Sequence, residues 1–202
     1  MTPLHHHTIH ANLTDLLPTQ GAIGFVEVSQ KRAEWQRLSK KMRKALIAQH
    51  WFPSVLGPKG RYYIVDHHHL GMALHEEGQE TVLLTVLKDL SWLDVDTFWR
   101  VMEFHQWAHL YSETGKRISH HQLPSHVSAL KDDPYRSLAG LARKAGAFAK
   151  DVTPFSEFLW ADYFRTRIKK QQLQHAMDEA VALALDLARH PQASYLPGFV
   201  QT

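Results

Sequence analysis

The pattern of apolar and polar positions is most regular between residues 52 and 90. The stretches "SVL" and "YYIV" flank "GPKG", which has strong turn chemistry, so two strands joined by a tight turn are predicted. After Asp66, "HHLGMALHEEG" consists largely of helix formers and ends in Gly78, a residue favoured just after a helix. "QETVLLTVLKDL" is rich in β-branched and apolar residues and predicts another buried strand. Residues 52–90 are therefore predicted to form a β-turn-β-α-β unit, the core of a small α/β structure.

Upstream of this unit, the pattern predicts an extended segment and then a long helix. "LTDLLPTQGAIGFVEV" opens the part expected to be ordered, and Pro18 and Gly21 indicate a short strand followed by a turn. From Ser29 to about His50 there is no Pro or Gly, and apolar residues recur at spacings of three and four. We expect one helix over this range, with Ser29 as its N-cap.

The second half of the chain has helical periodicity almost throughout. Four stretches show it, separated by Pro and Gly signals, with Asp94 or Asp96 near the start of the first and Thr153 a candidate N-cap of the third. The predicted fold class is α+β. It consists of a mixed α/β N-terminal half, residues 12–92, packed against a helical C-terminal region, residues 93–202.

Composition narrows the class of protein. The chain has 202 residues, 44% of them apolar, which is ample for a core, and a net charge of only +3, too small to imply nucleic-acid binding by itself. Cysteine is absent, which excludes disulfides, thiolate metal sites and cysteine nucleophiles. No signal peptide or membrane-spanning run is apparent, so we expect a soluble cytoplasmic protein with no membrane partner. Histidine is abundant, at 16 residues, but the run in "LHHHTIH" receives no functional weight because chain termini are usually mobile.

The segment "VDHHHL" is the main candidate for chemistry. At a strand end followed by a helix start, Asp66 can cap the helix, and free N–H groups of the first turn can bind an anion such as a phosphate. The imidazoles could contact a substrate, and His68 could transfer protons. A metal is the third alternative, although His68 and His75 lie seven residues apart and do not form the i, i+4 pair of helical zinc sites. The fold would have to supply the remaining ligands.

The same segment carries a resemblance. "IVDHHHLGMAL" resembles the strand–Asp-Gly-His-His-Arg–helix signature of the ParB/sulfiredoxin-like superfamily. More specifically, "VLGPKGRYYIVDHHHL", "DDPYRSLAG" and "TPFSEFLWADYF" look like the ParB-like family often labelled a nuclease. The similarity runs from about Leu16 to Pro197. The residues themselves show no paired-carboxylate and lysine signature of a nuclease.

The resemblance implies nucleotide chemistry, because superfamily members use nucleotides in Mg²⁺-dependent phosphoryl chemistry. These activities include phosphorylation by sulfiredoxin, CTP hydrolysis by ParB clamps and free-serine phosphorylation by a kinase branch. It implies ATP, ADP or CTP with Mg²⁺ as the cofactor, and a small hydroxyl-bearing substrate. Glu27 would be the general base, and Asp66 a ligand of Mg²⁺ or substrate. The sequence departs from the signature at His67, which replaces its Gly, and at Leu70, which replaces its phosphate-contacting Arg. The candidate nucleotide-binding residues are His67, His69, Lys31, Arg61, Arg136 and Ser137.

Two rival functions stay open. The chain could bind nucleotide or nucleic acid without chemistry, using the basic stretch "KRAEWQRLSKKMRK" at residues 31–44. It could also be a metal-dependent nuclease that uses its histidines. No helix-turn-helix is apparent, which argues against sequence-specific DNA binding of the partition type. The sequence gives no indication of oligomeric state.

Overall fold

The computed structural model describes residues 8–201, which divide into two compact units. Unit 1 contains residues 8–22 and 28–131, and unit 2 contains residues 23–27 and 132–201. The strands are β1 (Thr8–Asn12), β2 (Leu17–Pro18), β3 (Ala22–Ile23), β4 (Phe52–Gly57), β5 (Arg61–Ile64), β6 (Thr81–Asp89) and β7 (Lys131–Asp132). The helices are α1 (Phe25–Arg37), α2 (Lys40–Gln49), α3 (His68–Glu76), α4 (Val95–Phe104), α5 (Pro134–Lys144), α6 (Ser156–Arg165), α7 (Lys170–His175) and α8 (Met177–Arg189).

Unit 1 is built on a five-stranded mixed sheet in the order β1-β6-β4-β5-β2. β4 is antiparallel to β5 and parallel to β6, with α3 as the connection between β5 and β6. This arrangement is the β-turn-β-α-β unit, and the predicted α+β fold class is confirmed. The turn between β4 and β5 is formed by Pro58–Gly60, where Lys59 and Gly60 both have positive φ.

The helix predicted from Ser29 to His50 is two helices. α1 begins four residues earlier, at Phe25, and ends at Arg37, so Ser29 is not its N-cap. Ser39 is instead the N-cap of α2, and its side chain accepts a hydrogen bond from the backbone N–H of Met42 at 3.3 Å. The apolar periodicity continues across the break, which is why the sequence pattern did not reveal it.

The N-terminal boundary also differs from the expectation. Residues 5–7 of the histidine run lie outside the described residues, but Thr8–Asn12 form β1, which pairs antiparallel with β6. Backbone pairing of this kind depends little on side-chain type, so a polar edge strand gives a weak sequence signal. The ordered part therefore starts before Leu13.

The predicted division after residue 92 differs from the boundary between the two units, which falls after Lys131 in the second half of the chain. Residues 93–131 belong to unit 1 because α4 packs on the sheet. Phe98, Trp99 and Met102 of α4 share a buried cluster with Val55 of β4, and Tyr63 of β5 packs against that cluster. Among residues 8–201, no helix combines the length and apolar character needed to cross a membrane.

Unit 2 is helical and has its own core. Trp160, Phe164, Leu138 and Phe148 are buried there together with the alanines of α8. Asp133 is the N-cap of α5, as the Pro at its first position predicts, whereas α6 begins after Phe155 rather than at a Thr153 cap. The backbone carbonyl of Thr153 accepts a hydrogen bond from the N–H of Ser156 at 3.2 Å.

Candidate functional site

The connection from β5 to α3 has an unusual backbone at His67. This residue adopts a left-handed conformation, with φ 65° and ψ 21°, immediately before the first helical residue. Its N–H donates to Oδ1 of Asp66 at 2.6 Å, and its carbonyl accepts from the N–H of Gly71 at 2.8 Å, the first bond of the helix. The N–H groups of a first helical turn precede the i→i−4 bonding pattern of the helix. An exposed carboxylate and a set of helix-entry amides therefore meet at one strand end.

Two of the three imidazoles point into the protein. His68 is 3% exposed, and its Nε2 accepts a hydrogen bond from the backbone N–H of Thr19 at 3.1 Å. Thr19 in turn donates through Oγ1 to the carbonyl of Ile64 at 2.9 Å, which holds the segment before β3 against the end of β5. Burial lowers the pKa of His68 to about 3, so the ring is neutral, as an acceptor at Nε2 must be.

The proposed proton-transfer role of His68 therefore needs correction. A ring whose Nε2 is already bonded and which is closed off from solvent cannot exchange a proton with a substrate at neutral pH. His69 is also buried, so its side chain is not placed to contact a nucleotide. The sequence could not show this, because the partner of His68 lies 49 residues away.

His67 is the histidine of this group that keeps partial exposure. Its ring packs edge-on against Phe52, with centroids 5.6 Å apart, and lies 6.4 Å from the ring of His50. Burial is the main cause that lowers the pKa of His67, and the neighbouring Asp66 opposes the shift. His50 was not predicted as a site residue, because nothing in its local sequence connects it to the junction.

A small cavity lies next to this histidine pair. Its volume is about 70 Å³, enough for several water molecules or a group of phosphate size. The residues that line it come from α1, α2 and α3 and include Lys31, His50 and Leu70. The structure thus brings the predicted Lys31 close to the junction, whereas the apolar Leu70 occupies the position where the superfamily signature has Arg.

Arg61 is not brought to the junction. It is the first residue of β5, opposite Gly57, and is exposed. Five residues separate it from Asp66, a distance of roughly 16 Å along an extended chain at about 3.3 Å per residue. Strand geometry thus places Arg61 about one strand length from Asp66, and its contact with a bound nucleotide stays a prediction.

Ser137, a predicted ligand residue, has a structural role in unit 2. It is buried, and its Oγ accepts a hydrogen bond from the N–H of Val26 at 3.3 Å. Oδ1 of Asp132 likewise accepts from the N–H of Phe25 at 2.9 Å, so the first turn of α1 is capped by one side chain from β7 and one from α5. This N-terminus is satisfied by the protein itself.

Arg136 belongs to a charge network in unit 2. Its guanidinium is 11% exposed, forms an ion pair with Glu157 and lies 4.0 Å from the carboxylate of Glu27. Arg143 also donates to Glu157, and the ring of Phe158 lies 5.4 Å from the Arg136 guanidinium. Arg136 is therefore paired with two carboxylates, Glu27 and Glu157, and its contact with a phosphate stays a prediction.

The arrangement of potential metal ligands bears on the metal alternative. Within the described range, 8–201, no three His, Asp or Glu side chains are grouped so that they could hold a metal ion. A Mg²⁺ ion that arrives with a nucleotide needs only one or two protein carboxylates, since phosphates and water complete its shell. Asp66, which is exposed at the junction, has the chemistry for that role.

Comparisons with known proteins agree with this architecture. A sequence model of the family described as "Putative ParB-like nuclease" matches residues 9–166. Six chains of solved structures match, among them the one described as "Crystal structure of protein Atu1540 from Agrobacterium tumefaciens". That protein is 40% identical, the alignment covers 97% of this chain and 99% of that one, and the TM-score is 0.90. A search of curated proteins found no match.

Proposed function

Because the chain belongs to the ParB-like family described as "Putative ParB-like nuclease", we propose that it binds the phosphates of a nucleotide at the β5–α3 junction. The reaction is transfer of a phosphoryl group to a small hydroxyl-bearing substrate, or hydrolysis of the nucleotide. ATP, ADP and CTP are the candidate nucleotides, with Mg²⁺ as the accompanying ion. The family membership supports a ParB-like domain, and the geometry of unit 1 supports the choice of this junction.

The observation that carries the proposal is the left-handed backbone of His67. Residues other than Gly rarely adopt positive φ, at a cost on the order of 1 kcal/mol, and such conformations concentrate at functional sites. His67 stands where the superfamily signature has Gly, and it keeps the backbone geometry that Gly favours. The conformation turns the chain so that the N–H groups of residues 68–70 open the helix. Helix-entry amides and the positive end of the helix dipole together favour a phosphate.

Positive charge near the junction replaces the missing Arg. Lys31 and His50 line the small cavity, and the electrostatic influence of Lys31 and His50 on His67 lowers its pKa further. Glu34 also lines this cavity, so the assignment of the phosphate rests on Lys31. Leu70 cannot supply a guanidinium, so Lys31 is the cation we assign to the phosphate.

Two carboxylates, Asp66 and Glu27, are assigned the roles of ion ligand and general base. Mg²⁺, when bound with the nucleotide, neutralises charge on the phosphates, and Asp66 is the residue that would hold it. Glu27 is proposed as the general base toward the hydroxyl substrate, a role taken from the resemblance. The guanidinium of Arg136 lies 4.0 Å from the carboxylate of Glu27.

The first test separates the backbone of His67 from its side chain. Binding of ATP, ADP and CTP, with and without Mg²⁺, is measured by calorimetry and by the melting temperature, which rises with any ligand that prefers the folded state. We expect His67→Gly to retain nucleotide binding, because Gly adopts φ 65° readily. His67→Val should weaken binding by about tenfold or more, since a β-branched residue is strongly disfavoured there.

Further variants assign the remaining roles. Asp66→Asn should abolish the Mg²⁺-dependent part of binding, whereas Asp96→Asn, at an exposed acid of α4, should not. Lys31→Gln should weaken binding with and without Mg²⁺. Glu27→Gln should slow phosphate release or transfer and leave nucleotide affinity unchanged. Unchanged nucleotide affinity in both Asp66→Asn and His67→Val would refute the assignment of the site.

A nuclease or nucleic-acid-binding function is the second candidate. It is favoured by the description of the family and by α2, which has exposed Lys40, Lys41 and Lys44 and no buried side chain. Affinity for an oligonucleotide that falls steeply with salt would support it, because phosphate contacts release counterions. Cleavage of DNA or RNA with Mg²⁺ or Mn²⁺, in the absence of nucleotide binding, would favour it over the first proposal.

A further inference from the structure

A second, larger cavity lies in unit 1, and we call it the α2 groove. Its volume is about 560 Å³, within the range of roughly 300–1,000 Å³ that is typical of small-molecule sites. One side of the groove is formed by α2, and the opposite side by β1, β6 and the connection between α3 and β6. Its lining includes Trp35, Lys40, Arg43, Lys44, Ile47 and Leu83.

The α2 groove has an apolar part and a cationic part. Trp35, Ile47 and Leu83 supply apolar surface, while Lys40 and Lys44 are exposed on α2. Neither lysine forms an ion pair with another residue in the part of the chain that the structure describes. The lysines are therefore available for the head group of an anion.

Glu77, the acidic residue that lines the α2 groove, does not neutralise the charge of Lys40 and Lys44. Glu77 accepts hydrogen bonds from Arg32 and Gln36, both at 2.8 Å, and the bond from Arg32 is the main cause that lowers the pKa of Glu77. Its carboxylate is thus already paired with a cation of α1. The groove retains a positive excess from the cations of α2.

Arg43 is held in a fixed position beside the lysines. Its guanidinium donates to the carbonyls of Trp35 and Gln36, at 3.1 and 3.3 Å, and lies 5.2 Å from the centre of the Trp35 ring. These contacts satisfy carbonyls in the last turn of α1, and within residues 8–201 no carboxylate bonds to Arg43. A cation fixed in this way contributes to anion binding without a further cost of ordering its side chain.

Trp35 supplies an independent observation. Its indole N–H is buried and has no hydrogen-bond partner among the described residues. Buried polar groups are nearly always paired, so this donor leaves one residue in the wall of the α2 groove incompletely satisfied. Trp35 also lines the small cavity near His50, so both cavities adjoin this residue.

We propose that the α2 groove binds a small organic anion that has an apolar, ring-containing body and a phosphate or carboxylate head. The body lies on Trp35, Ile47 and Leu83, and the head is held by Lys40 and Lys44. This site is separate from the β5–α3 junction and does not depend on the function proposed for it.

The test uses probes that contain the whole ligand chemistry or only half of it. Naphthyl phosphate and naphthoate carry both a ring body and an anionic head, inorganic phosphate carries the head, and naphthol carries the body. Each is titrated into the full chain by calorimetry and by NMR of the tryptophan indole N–H signals, with Trp35→Phe used for assignment. We expect one of the two complete probes to bind at least about tenfold more tightly than either half, and to shift the Trp35 signal.

Matched variants on one helix locate the site. Lys40→Gln combined with Lys44→Gln should weaken binding by about tenfold. Lys41→Gln, an exposed residue of the same helix that does not line the groove, should leave affinity within about twofold. Ile47→Gln should weaken the complete probe and leave inorganic phosphate unchanged, and melting temperatures verify that each variant is folded.

Three results would overturn the proposal. The first is no saturable binding of either complete probe. The second is equal loss of affinity in the Lys41 variant and the Lys40 and Lys44 double variant. The third is binding of a short single-stranded oligonucleotide through Lys40 and Lys44 when neither naphthyl phosphate nor naphthoate binds. That result would make this surface a nucleic-acid site.

Discussion

His68 is a neutral hydrogen-bond acceptor inside unit 1, and its ionisation is therefore coupled to folding. Its pKa is about 3 in the folded protein and near 6.5 in an unfolded chain. Between these values the unfolded state binds more protons than the folded state, so stability falls as the pH is lowered from about 6.5 toward 3. Above pH 6.5 the ring is neutral in both states and this contribution is constant.

We predict that His68→Leu has two effects of opposite sign. At pH 7.5 it should destabilise unit 1 by about 1–3 kcal/mol, because the N–H of Thr19 loses its buried acceptor. Below pH 6.5 the difference from the parent protein should shrink by roughly 1 kcal/mol for each pH unit, because Leu removes the buried titrating group. Urea denaturation at several pH values, with His175→Leu at an exposed position as the control, measures both effects. A difference that is independent of pH would show that His68 is not buried as the neutral form.

At the residue scale, the sequence identified the junction better than it identified the individual ligands. The change of pattern after Asp66 correctly placed this residue between a strand and a helix. Which imidazole is buried depends on a partner distant in the chain, Thr19, and no local pattern reports such a contact. The same holds for His50, whose position beside His67 depends on how α2 packs.

At the scale of elements, the start of α1 is determined by its contact with α5 in unit 2. Gly24 precedes the helix, and a Cβ atom added there would lie 2.7 Å from Oγ and 2.8 Å from the backbone N of Ser137. Only Gly allows this approach, which brings the N–H of Val26 to Oγ of Ser137. The helix starts at Phe25 for this reason, whereas apolar periodicity alone suggested Ser29.

We predict that Gly24→Ala destabilises the protein by about 1–3 kcal/mol, the usual cost of overpacking. The double variant Gly24→Ala, Ser137→Ala lacks the hydroxyl of Ser137. It should recover only part of the lost stability, because the contacts of the added Cβ with the backbone N and Cα of residue 137 persist at 2.8 and 3.0 Å. Thermal denaturation of both variants, and of Gly140→Ala as a helical Gly with more room, provides the measurement. Full recovery in the double variant would mean that the hydroxyl alone sets the spacing.

Elements with local signals were predicted well, and those defined by tertiary contacts were not. The β4–turn–β5–α3–β6 unit follows from turn chemistry and alternation within about 40 consecutive residues. The break between α1 and α2 has a local signal, Ser39, but it competes with an apolar repeat that continues on both sides. β1 and β2 were difficult to place because one is polar and the other has two residues.

At the scale of the whole molecule, chain order and unit membership do not coincide. Residues 23–27 lie between two segments of unit 1 but belong to unit 2, and α4 follows the sheet in sequence and packs on it. Helical periodicity marked residues 93–131 as part of a helical half, because it records the type of an element and not its packing partner. Buried aromatic side chains decide the partner, and Phe98 of α4 lies 4.7 Å from the ring of Tyr63 in β5.

Hydrogen exchange can determine directly which unit contains α4. Phe98 is fully buried, and Phe98→Ala should cost about 3–5 kcal/mol through lost burial and a cavity. We predict that exchange measured at low denaturant concentration accelerates most for the amides of β4 and β5, and less for those of α5 and α6. Trp160→Ala, at a fully buried residue of the unit 2 core, is the matched control and should give the reverse pattern. If Phe98→Ala accelerated hydrogen exchange most in α5 and α6, α4 would instead belong to the helical unit. The boundary between the two units would then lie near residue 92.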